Sequence, residues 1–266
     1  KDFAPHAVKA GAVVIDNSSA FRMDPEVPLV VPEVNPQAIL KHKGIIANPN
    51  CSTIIMVMAL KPIYDLAKIK RVIVSTYQAV SGAGKEGIDE LDAQVRDHSE
   101  GREMTANILP SASAEKHYPI AFNLIPQIDV FCDNLYTKEE MKMVNETKKI
   151  MEDYEMRITA TTIRVPVYRS HSESVNIELE KEVDLGAMRE ALAKFPGVTV
   201  QDDPSKQEYP MPLYTSEKDD VYVGRLRRDE SCEKSYNIWV VGDQIRKGAA
   251  LNTLQIAETM IKNGWI

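Results

Sequence analysis

The first fifty residues alternate short apolar runs with turn-forming residues. We predict a helix at 4–10 and strands at 12–16, 29–31 and 44–47. Short apolar runs separated by Pro, Asn and Gly are typical of strands buried in a parallel sheet that is covered by helices. The N-terminal pattern therefore favours an α/β fold.

A longer apolar segment at 51–67 is apolar on nearly every side and has the length of a helix. Asn50 precedes it and is a favourable N-cap residue, because its side-chain oxygen can accept a hydrogen bond from a free backbone N–H of the first turn. A helix without a polar face has to be buried. We therefore predict a core helix that begins at Cys51.

The rest of the chain mixes helical and strand periodicity. Thr137 followed by Glu140 forms a capping box, which predicts the start of a helix. One of the alternating segments is apolar around Trp239 and is interpreted as an edge strand. These patterns predict helices at 86–96, 137–151, 185–194 and 249–263, a polar loop at 97–115, and strands at 72–79, 157–169, 174–179, 221–226 and 235–241.

Composition narrows the class of protein. Hydrophobic residues make up 44% and charged residues 27% of the 266 residues, and the formal net charge is -7. This balance is ordinary for a soluble globular protein, and it argues against nucleic-acid binding, which needs a basic face. No uninterrupted apolar run approaches the ~18 residues of a membrane span.

The three cysteines are too few and too scattered for a disulfide framework or a zinc site. They are Cys51, Cys132 and Cys232. We expect a reducing compartment, the cytoplasm, and no metal ion. Cys132 and Cys232 lack any reactive setting and are interpreted as structural or incidental.

The segment Asn48-Pro49-Asn50-Cys51-Ser52-Thr53 places a cysteine in the first turn of the buried helix. Free backbone N–H groups and the helix dipole at this position favour a thiolate. The same N–H groups are able to stabilise an oxyanion. Two interpretations of Cys51 carry equal weight at this point, a nucleophile and a small buried thiol of the core.

His171 follows two arginines and lies among hydroxyl side chains, a composition that suits an anion pocket. The alternative, a strand end at the surface, is favoured by the sequence alone. Arg164 and His171 are an odd number of positions apart, so an ideal strand directs them to opposite faces. We expect them to share a site only if the strand bends near Pro166 or ends before His171.

Two further segments resemble anion-binding loops. Residues 82–87 fit G-x-G-x-x-G after a strand, but no acidic strand end follows at the required distance, so we interpret the match as a coincidence. The polar turn 16–22 follows a predicted strand, where ligands of α/β sheets bind. Arg22 in this turn is either a phosphate or carboxylate ligand or an ordinary surface arginine.

Five motifs, in this order, resemble the aspartate-semialdehyde dehydrogenase family. They are VVIDNSSAFRMDPEVPLVVPEVN at 13–35, NPNCSTI at 48–54, TYQAVSGAGKEG at 76–87, RVPVYRSHSESVNIE at 164–178 and GDQIRKGAALNTLQIAE at 242–258. They extend over essentially the whole chain, and their order and spacing make the resemblance specific, although NPNCSTI alone is only moderately so.

The resemblance implies roles for ten side chains. Cys51 resembles the nucleophile that carries an acyl-enzyme thioester, and His171 resembles the acid/base residue. The other positions resemble substrate contacts at Gln78, Glu139 and Arg164, phosphate-site cations at Arg22 and Lys142, and residues near the NADP at Ser81, Gly82 and Gln244.

The implied reaction is the reductive dephosphorylation of L-4-aspartyl phosphate with NADPH, on the route to lysine, methionine, threonine and isoleucine. Aspartyl phosphate and phosphate are the small-molecule partners, and a homodimer or homotetramer is expected. Two alternatives remain, a reductase of N-acetylglutamyl phosphate and a non-catalytic oligomerising fragment.

Family members begin with a strand and a GATGAVG-like phosphate loop, which residues 1–266 do not contain. We therefore expect an α/β protein in which 1–50 and 245–266 form the remainder of an NADP-binding Rossmann-type domain. Residues 51–244 are expected to form an α+β substrate and dimerisation domain with a mixed sheet. Because the first βαβ unit anchors the pyrophosphate, we predict poor NADP binding by this chain, which isothermal titration would test.

Overall fold

The computed structural model describes residues 2–266 of the chain. Its N-terminal region forms a helix, α1 (Ala4–Lys9), and two parallel strands, β1 (Val14–Asp16) and β2 (Ile45–Ala47). A 3-10 helix at Pro36–Lys41 precedes β2. The alternating pattern of the first fifty residues is thus confirmed as α/β.

The prediction of a strand at 29–31 is wrong. Only Leu29 pairs, in a single parallel bridge to Ala47. Pro28 and Pro32 flank the segment. Since proline has no N–H to donate, a longer ladder is not available here.

The larger sheet has six strands in the order β4-β3-β5-β8-β7-β6. The pairs β3·β4 and β6·β7 are parallel and the other three are antiparallel, so the predicted mixed sheet is confirmed. The strands are β3 (Ile69–Gln78), β4 (Arg157–Arg164), β5 (His171–Leu179), β6 (Val198–Val200), β7 (Val221–Arg228) and β8 (Ser235–Gly242). The strand around Trp239 is β8, which pairs on both sides, so its interpretation as an edge strand is wrong.

The segment predicted as one strand at 157–169 ends at Arg164, and the next strand begins earlier than predicted, at His171. Between them, Ser170 adopts a left-handed backbone with a φ of 70°. The chain therefore turns between Arg164 and His171, which is one of the two conditions under which both side chains reach the same site.

The helices follow the predicted pattern closely. The capping box of Thr137 and Glu140 is present, with both reciprocal hydrogen bonds. A π-helical turn at Arg246–Ala250 replaces the first residues of the predicted closing helix. The remaining helices are α2 (Cys51–Leu66), α3 (Lys85–Ser99), α4 (Lys138–Ile150), α5 (Leu185–Lys194), α6 (Pro212–Thr215) and α7 (Leu251–Asn263).

Three apolar clusters organise the described residues: one joins α3 to the loop that follows it through Leu91 and Leu109, and the other two lie around α2 and α7. The larger one contains most of α2, packed against the inner face of the six-stranded sheet and against α4 and α5. A smaller cluster joins β2 to α7 through Ile46, Ile256 and Met260. The N-terminus of α2 therefore lies where the two packed regions meet. Within residues 2–266, no helix combines the length and the apolar character that a bilayer crossing demands.

Candidate active site

The N-terminus of α2 is fixed by Asn50. Its backbone is extended, and its side-chain Oδ1 accepts a hydrogen bond of 3.1 Å from the N–H of Thr53. This is the N-cap arrangement that the sequence predicts. Cys51 is therefore the first residue of the helix, next to backbone N–H groups that have no partner within the helix.

Cys51 opens into a cavity of about 430 Å³. Nine of the ten residues singled out in the sequence line it, namely Arg22, Cys51, Gln78, Ser81, Gly82, Glu139, Lys142, Arg164 and Gln244. The tenth, His171, is buried behind this wall: a Cβ placed on Gly82 would lie 3.4 Å from its Nε2 atom. The structure thus brings all ten side chains to one region.

One wall of the cavity is built from strand ends, and we call it the strand wall. It consists of Gln78, Arg164 and His171. Gln78 ends β3 and pairs with Arg164, which ends β4, while His171 begins β5 on the other side of β3. Parallel strands end at the same edge of a sheet, and an antiparallel neighbour begins there. This topology explains how residues distant in sequence meet.

The peptide of Ala79 ties the strand wall together. Arg164 Nη1 donates to the carbonyl oxygen of Ala79 at 2.7 Å. The N–H of Ala79 donates to His171 Nδ1 at 3.1 Å. The Nε atoms that remain, Arg164 Nε and His171 Nε2, are buried and have no hydrogen-bond partner among residues 2–266. Buried polar groups are normally paired, so these two atoms have unused hydrogen-bonding capacity behind the cavity surface.

The environment of His171 defines its protonation. Burial and, secondly, the neighbouring Arg164 guanidinium hold the pKa of His171 well below its usual value. The ring is therefore neutral at physiological pH. Because Nδ1 accepts from Ala79, the single ring proton lies on Nε2. In this state His171 presents a hydrogen-bond donor.

The opposite wall is built around helix α4, and we call it the helix wall. It consists of Arg22, Asn50, Glu139, Lys142 and Glu146. Glu139 Oε1 accepts from Asn50 Nδ2 at 2.9 Å and from Gln78 Nε2 at 3.3 Å. Glu139 Oε2 accepts from Lys142 Nζ at 3.2 Å. Glu139 and Lys142 are three positions apart on α4 and therefore share one face of this helix.

Each cation of the helix wall has an acidic partner. Lys142 Nζ also donates to Asp129 at 3.0 Å. Arg22 Nη1 lies 3.3 Å from Glu146 Oε1, and both side chains are largely buried. Glu146 was not found from the sequence, although it follows Glu139 by seven residues and Lys142 by four, which places all three on one helix face.

The thiol of Cys51 is not activated in this state. Burial and, secondly, the Glu139 carboxylate raise its pKa to about 12, which outweighs the opposite effect of Arg164. The expectation that the helix terminus alone favours a thiolate is therefore wrong for the protein without substrate. Desolvation of the charged form and a nearby negative charge outweigh the hydrogen bonds of Ser52 and the charge of Arg164, which both lower the pKa.

The third side of the cavity lacks side chains next to Cys51. A Cβ on Gly248, in the π-helical turn, would lie 2.9 Å from Cys51 Cβ, and one on Gly82 would lie 2.7 Å from Arg164 Nη1. Gln244 bridges this side, because its Nε2 donates to Ser81 Oγ and its Oε1 accepts from the N–H of Ser170 at 3.0 Å. A side chain at either position would clash, so the backbone packs directly against Cys51 and Arg164.

The segment that fits G-x-G-x-x-G belongs to this side. Gly82 lies in a 3-10 turn at Val80–Ala83, and Gly84 caps helix α3 with a φ of 86°. After α3 the next strand is β4 (Arg157–Arg164), so the loop is not followed by a short βαβ unit. This topology agrees with the interpretation of the match as a coincidence.

Comparison with known proteins identifies the family to which the chain belongs. The family model of the semialdehyde dehydrogenase dimerisation domain matches residues 60–247, and the model of the semialdehyde dehydrogenase NAD binding domain matches residues 1–42. An aspartate-semialdehyde dehydrogenase of Aquifex aeolicus (strain VF5) is 56% identical over 268 residues, covering 100% of this chain and 77% of that protein. The chain belongs to the aspartate-semialdehyde dehydrogenase family.

Solved structures of aspartate-semialdehyde dehydrogenases share the fold. The enzyme II of Vibrio cholerae, complexed with ASA, matches with a TM-score of 0.92 and 48% identity over 98% of this chain and 75% of that chain. The Candida albicans enzyme with NADP matches with a TM-score of 0.75 and 25% identity, covering 100% of this chain and 75% of that chain. Within residues 2–266, no group of three or more His, Cys, Asp or Glu side chains is placed to hold a metal ion.

Proposed function

We propose that this protein converts L-4-aspartyl phosphate to L-aspartate 4-semialdehyde with a nicotinamide cofactor, in amino-acid biosynthesis on the route to lysine, methionine, threonine and isoleucine. The observation that carries the proposal is the cavity in which Cys51 lies between a wall suited to a carboxylate and a wall with two phosphate-site cations. The relatives carry the aspartyl rather than the N-acetylglutamyl name, which favours the aspartyl substrate.

In this proposal the strand wall binds the amino-acid end of the substrate. Arg164 offers its unpartnered Nε and the rest of its planar guanidinium to the substrate carboxylate. Glu139 accepts from the substrate ammonium group, and Gln78 stabilises Glu139 in that position. Pairing Glu139 with an ammonium group offsets the negative charge that raises the pKa of Cys51, so substrate binding itself favours the thiolate.

The Cys51 thiol then passes its proton to the departing phosphate as its Sγ attacks the acyl carbon, the bond from that carbon to the phosphate oxygen breaks, and phosphate leaves beside Arg22 and Lys142. The free N–H groups of the first turn of α2 stabilise the oxyanion that forms during attack. His171 acts as the acid/base residue through Nε2, which donates towards the acyl oxygen. A nicotinamide cofactor, when bound, supplies the hydride that reduces the thioester.

We assign the cofactor side to Ser81, Gly82 and Gln244, and propose NADP. The fit is one of position and polarity: all three residues line the cavity into which Cys51 opens, and the Ser81–Gln244 pair offers hydrogen bonds to an amide. The NADP complex of the Candida albicans enzyme supports this choice of cofactor.

We further propose that residues 1–50 and 245–266 belong to the cofactor-binding domain and 51–244 to the substrate and dimerisation domain. The contact of α7 with β2 through Ile46 and Ile256 supports the first group. A homodimer is proposed from the dimerisation-domain match, and a homotetramer is the larger possibility. The three cysteines are free, which supports the cytoplasm as compartment.

The test is thioester formation, which needs no cofactor. Incubation with L-4-aspartyl phosphate alone should release phosphate and add one aspartyl group to the protein, seen by intact mass spectrometry and lost on treatment with hydroxylamine. Cys51→Ser should reduce this acylation by at least about 10³-fold, because a nucleophile is removed.

Cys132→Ser and Cys232→Ser are the matched controls, since they remove the other two free thiols. Both should acylate as the unaltered protein does. Acylation that persists in Cys51→Ser would refute the assignment of Cys51 as the nucleophile. An unaltered protein that is never acylated would favour the non-catalytic alternative.

A further inference from the structure

Glu146 connects the two functional parts of the helix wall. Its Oε1 lies 3.3 Å from Arg22 Nη1, and its Oε2 accepts a hydrogen bond of 2.6 Å from the N–H of Asn50. The residue is 1% exposed. One buried carboxyl group therefore contacts both the phosphate-site arginine and the residue that caps the helix of Cys51.

Arg22 does not depend on Glu146 for its position. Its Nε donates to the carbonyl oxygen of Asn48 at 2.9 Å and its Nη2 donates to that of Asn17 at 3.0 Å. These two neutral acceptors orient the guanidinium towards the cavity. Glu146 adds a negative charge to an arginine that is already held, and this charge opposes the binding of an anion there.

We infer that Glu146 controls how strongly Arg22 holds the phosphate group, because the ionised carboxylate competes with phosphate for the guanidinium. Anion binding at Arg22 is therefore coupled to the uptake of one proton from solvent by Glu146. The inference rests on the proposed phosphate site of Arg22. Glu146 is a positioning residue in this scheme, since it acts on phosphate through Arg22 and on Cys51 through Asn50.

The titration of Glu146 lies in the right range for such coupling. Burial raises its pKa to about 7, against the opposite effect of Arg22 and of the Asn50 N–H. The other charged groups around it are Glu139, which adds to the rise, and the cations Lys142 and Lys149, one helical turn away on α4. His171 stays neutral across the same range, because its pKa is lowered.

The coupling has a sign that follows from linkage. An anion bound at Arg22 raises the proton affinity of Glu146, so protonation of Glu146 must by the same amount raise the affinity for the anion. Anion affinity therefore increases as the pH falls through 7. In the reaction, an ionised Glu146 lowers the affinity of Arg22 for phosphate and so favours the release of phosphate once the thioester has formed.

The experiment uses sulfate, which is a dianion throughout this pH range, whereas phosphate changes its own charge. Sulfate competes with iodoacetate for the cavity, so its affinity is read from the protection of Cys51 against alkylation at constant ionic strength. The unaltered protein should bind sulfate more weakly as the pH is raised from about 6 to about 8, by up to about tenfold, since the competent protonated form falls to about a tenth.

Glu146→Gln is the neutral isostere of the protonated acid, and its amide oxygen still accepts from the Asn50 N–H. It should bind sulfate up to about tenfold more tightly than the unaltered protein at pH 8, equally at pH 6, and with no pH dependence. A variant that is merely destabilised would not gain affinity. Glu190→Gln, which removes one exposed carboxylate from α5, controls for net charge and should behave as the unaltered protein does.

Arg22→Met separates the inference from the function on which it rests. Loss of sulfate protection in Arg22→Met, with unchanged sulfate affinity in Glu146→Gln at every pH, would overturn the role of Glu146 and leave the phosphate site in place. Sulfate protection that survives in Arg22→Met, or is absent from the unaltered protein, would overturn the phosphate site and the inference together.

Discussion

The strand wall and the helix wall of the cavity differ in how their polar groups are paired. In the strand wall, Arg164 Nε and His171 Nε2 are buried without a partner among residues 2–266. In the helix wall, Arg22 and Lys142 each contact at least one carboxylate. The first wall leaves hydrogen bonds open for a ligand, whereas the second has to exchange a partner when a ligand arrives.

This difference suggests a division of tasks. Unpaired buried donors are costly in the empty protein, and in the proposed function a substrate carboxylate offsets this cost by accepting hydrogen bonds from them. Cations that are already paired bind an incoming anion less strongly, because the internal carboxylate must be displaced or protonated. A wall of the first kind suits a group that stays bound through the reaction, and a wall of the second kind suits a phosphate group that has to leave.

The largest expected effect comes from the strand wall. Arg164→Met should raise the concentration of L-4-aspartyl phosphate needed for half-maximal acylation by about 10²–10³-fold, since a bidentate pair of charged hydrogen bonds is lost. The matched variant Lys142→Met, in the helix wall, should raise it by only about tenfold, because that cation is already paired. The rate of thioester formation, followed by intact mass spectrometry, measures both.

Arg157→Met is the control for this pair. Arg157 begins the same strand, β4, and its side chain is exposed at the far end from the cavity. It should acylate as the unaltered protein does. Equal losses in Arg164→Met and Lys142→Met would contradict the division between the two walls.

A smaller effect is expected where the two walls meet at Cys51. The thiol pKa of about 12 predicts that alkylation by neutral iodoacetamide accelerates about tenfold for each pH unit between pH 7 and 10, because only the thiolate reacts. Glu139→Gln removes the carboxylate that raises this pKa, so it should speed alkylation at pH 8 by about 3–10-fold.

Glu155→Gln removes the same charge from an exposed position and should leave the rate unchanged. A Glu139→Gln variant that reacts more slowly than the unaltered protein would show that the carboxylate activates the thiol instead. A rate that levels off below pH 9 would show that the thiol ionises much more readily than its buried setting indicates.

The smallest effect concerns stability behind the strand wall. Glu173 lies on β5, and neither carboxylate oxygen has a partner among residues 2–266. Burial raises its pKa well above the usual value, so the folded protein keeps a proton that the unfolded chain releases above its ordinary pKa. The resulting stability is fully present below the unfolded pKa and is lost as the pH rises.

Glu173→Gln cannot ionise, so it should be more stable than the unaltered protein at pH 8 by about 1–3 kcal/mol, because the unfolded chain is stabilised by ionisation of Glu173 and not by the glutamine. The difference should shrink towards pH 5. Urea unfolding at both pH values measures it. An equal difference at both values would assign the effect to packing, and a less stable variant would indicate that Glu173 is ionised and paired in solution.

Local sequence was sufficient for most of the helices and for the position of Cys51 at the start of α2. The N-cap at Asn50 and the capping box at Thr137 and Glu140 involve residues within three positions of each other, so their hydrogen bonds follow from the sequence order. The family resemblance then supplied ten residues, all of which lie at or directly behind one cavity. Their roles stay predictions.

The tertiary structure decided what depends on contacts distant in sequence. The pairing of Arg22 with Glu146 spans 124 positions, and the bond between Ala79 and His171 spans 92. Periodicity also failed at 157–169, because Val165 and Val167 continue the alternation of β4 past its last residue, Arg164. Above all, the protonation states of Cys51, Glu146 and His171 are set by desolvation and by neighbouring charges, which exist only once the chain has folded.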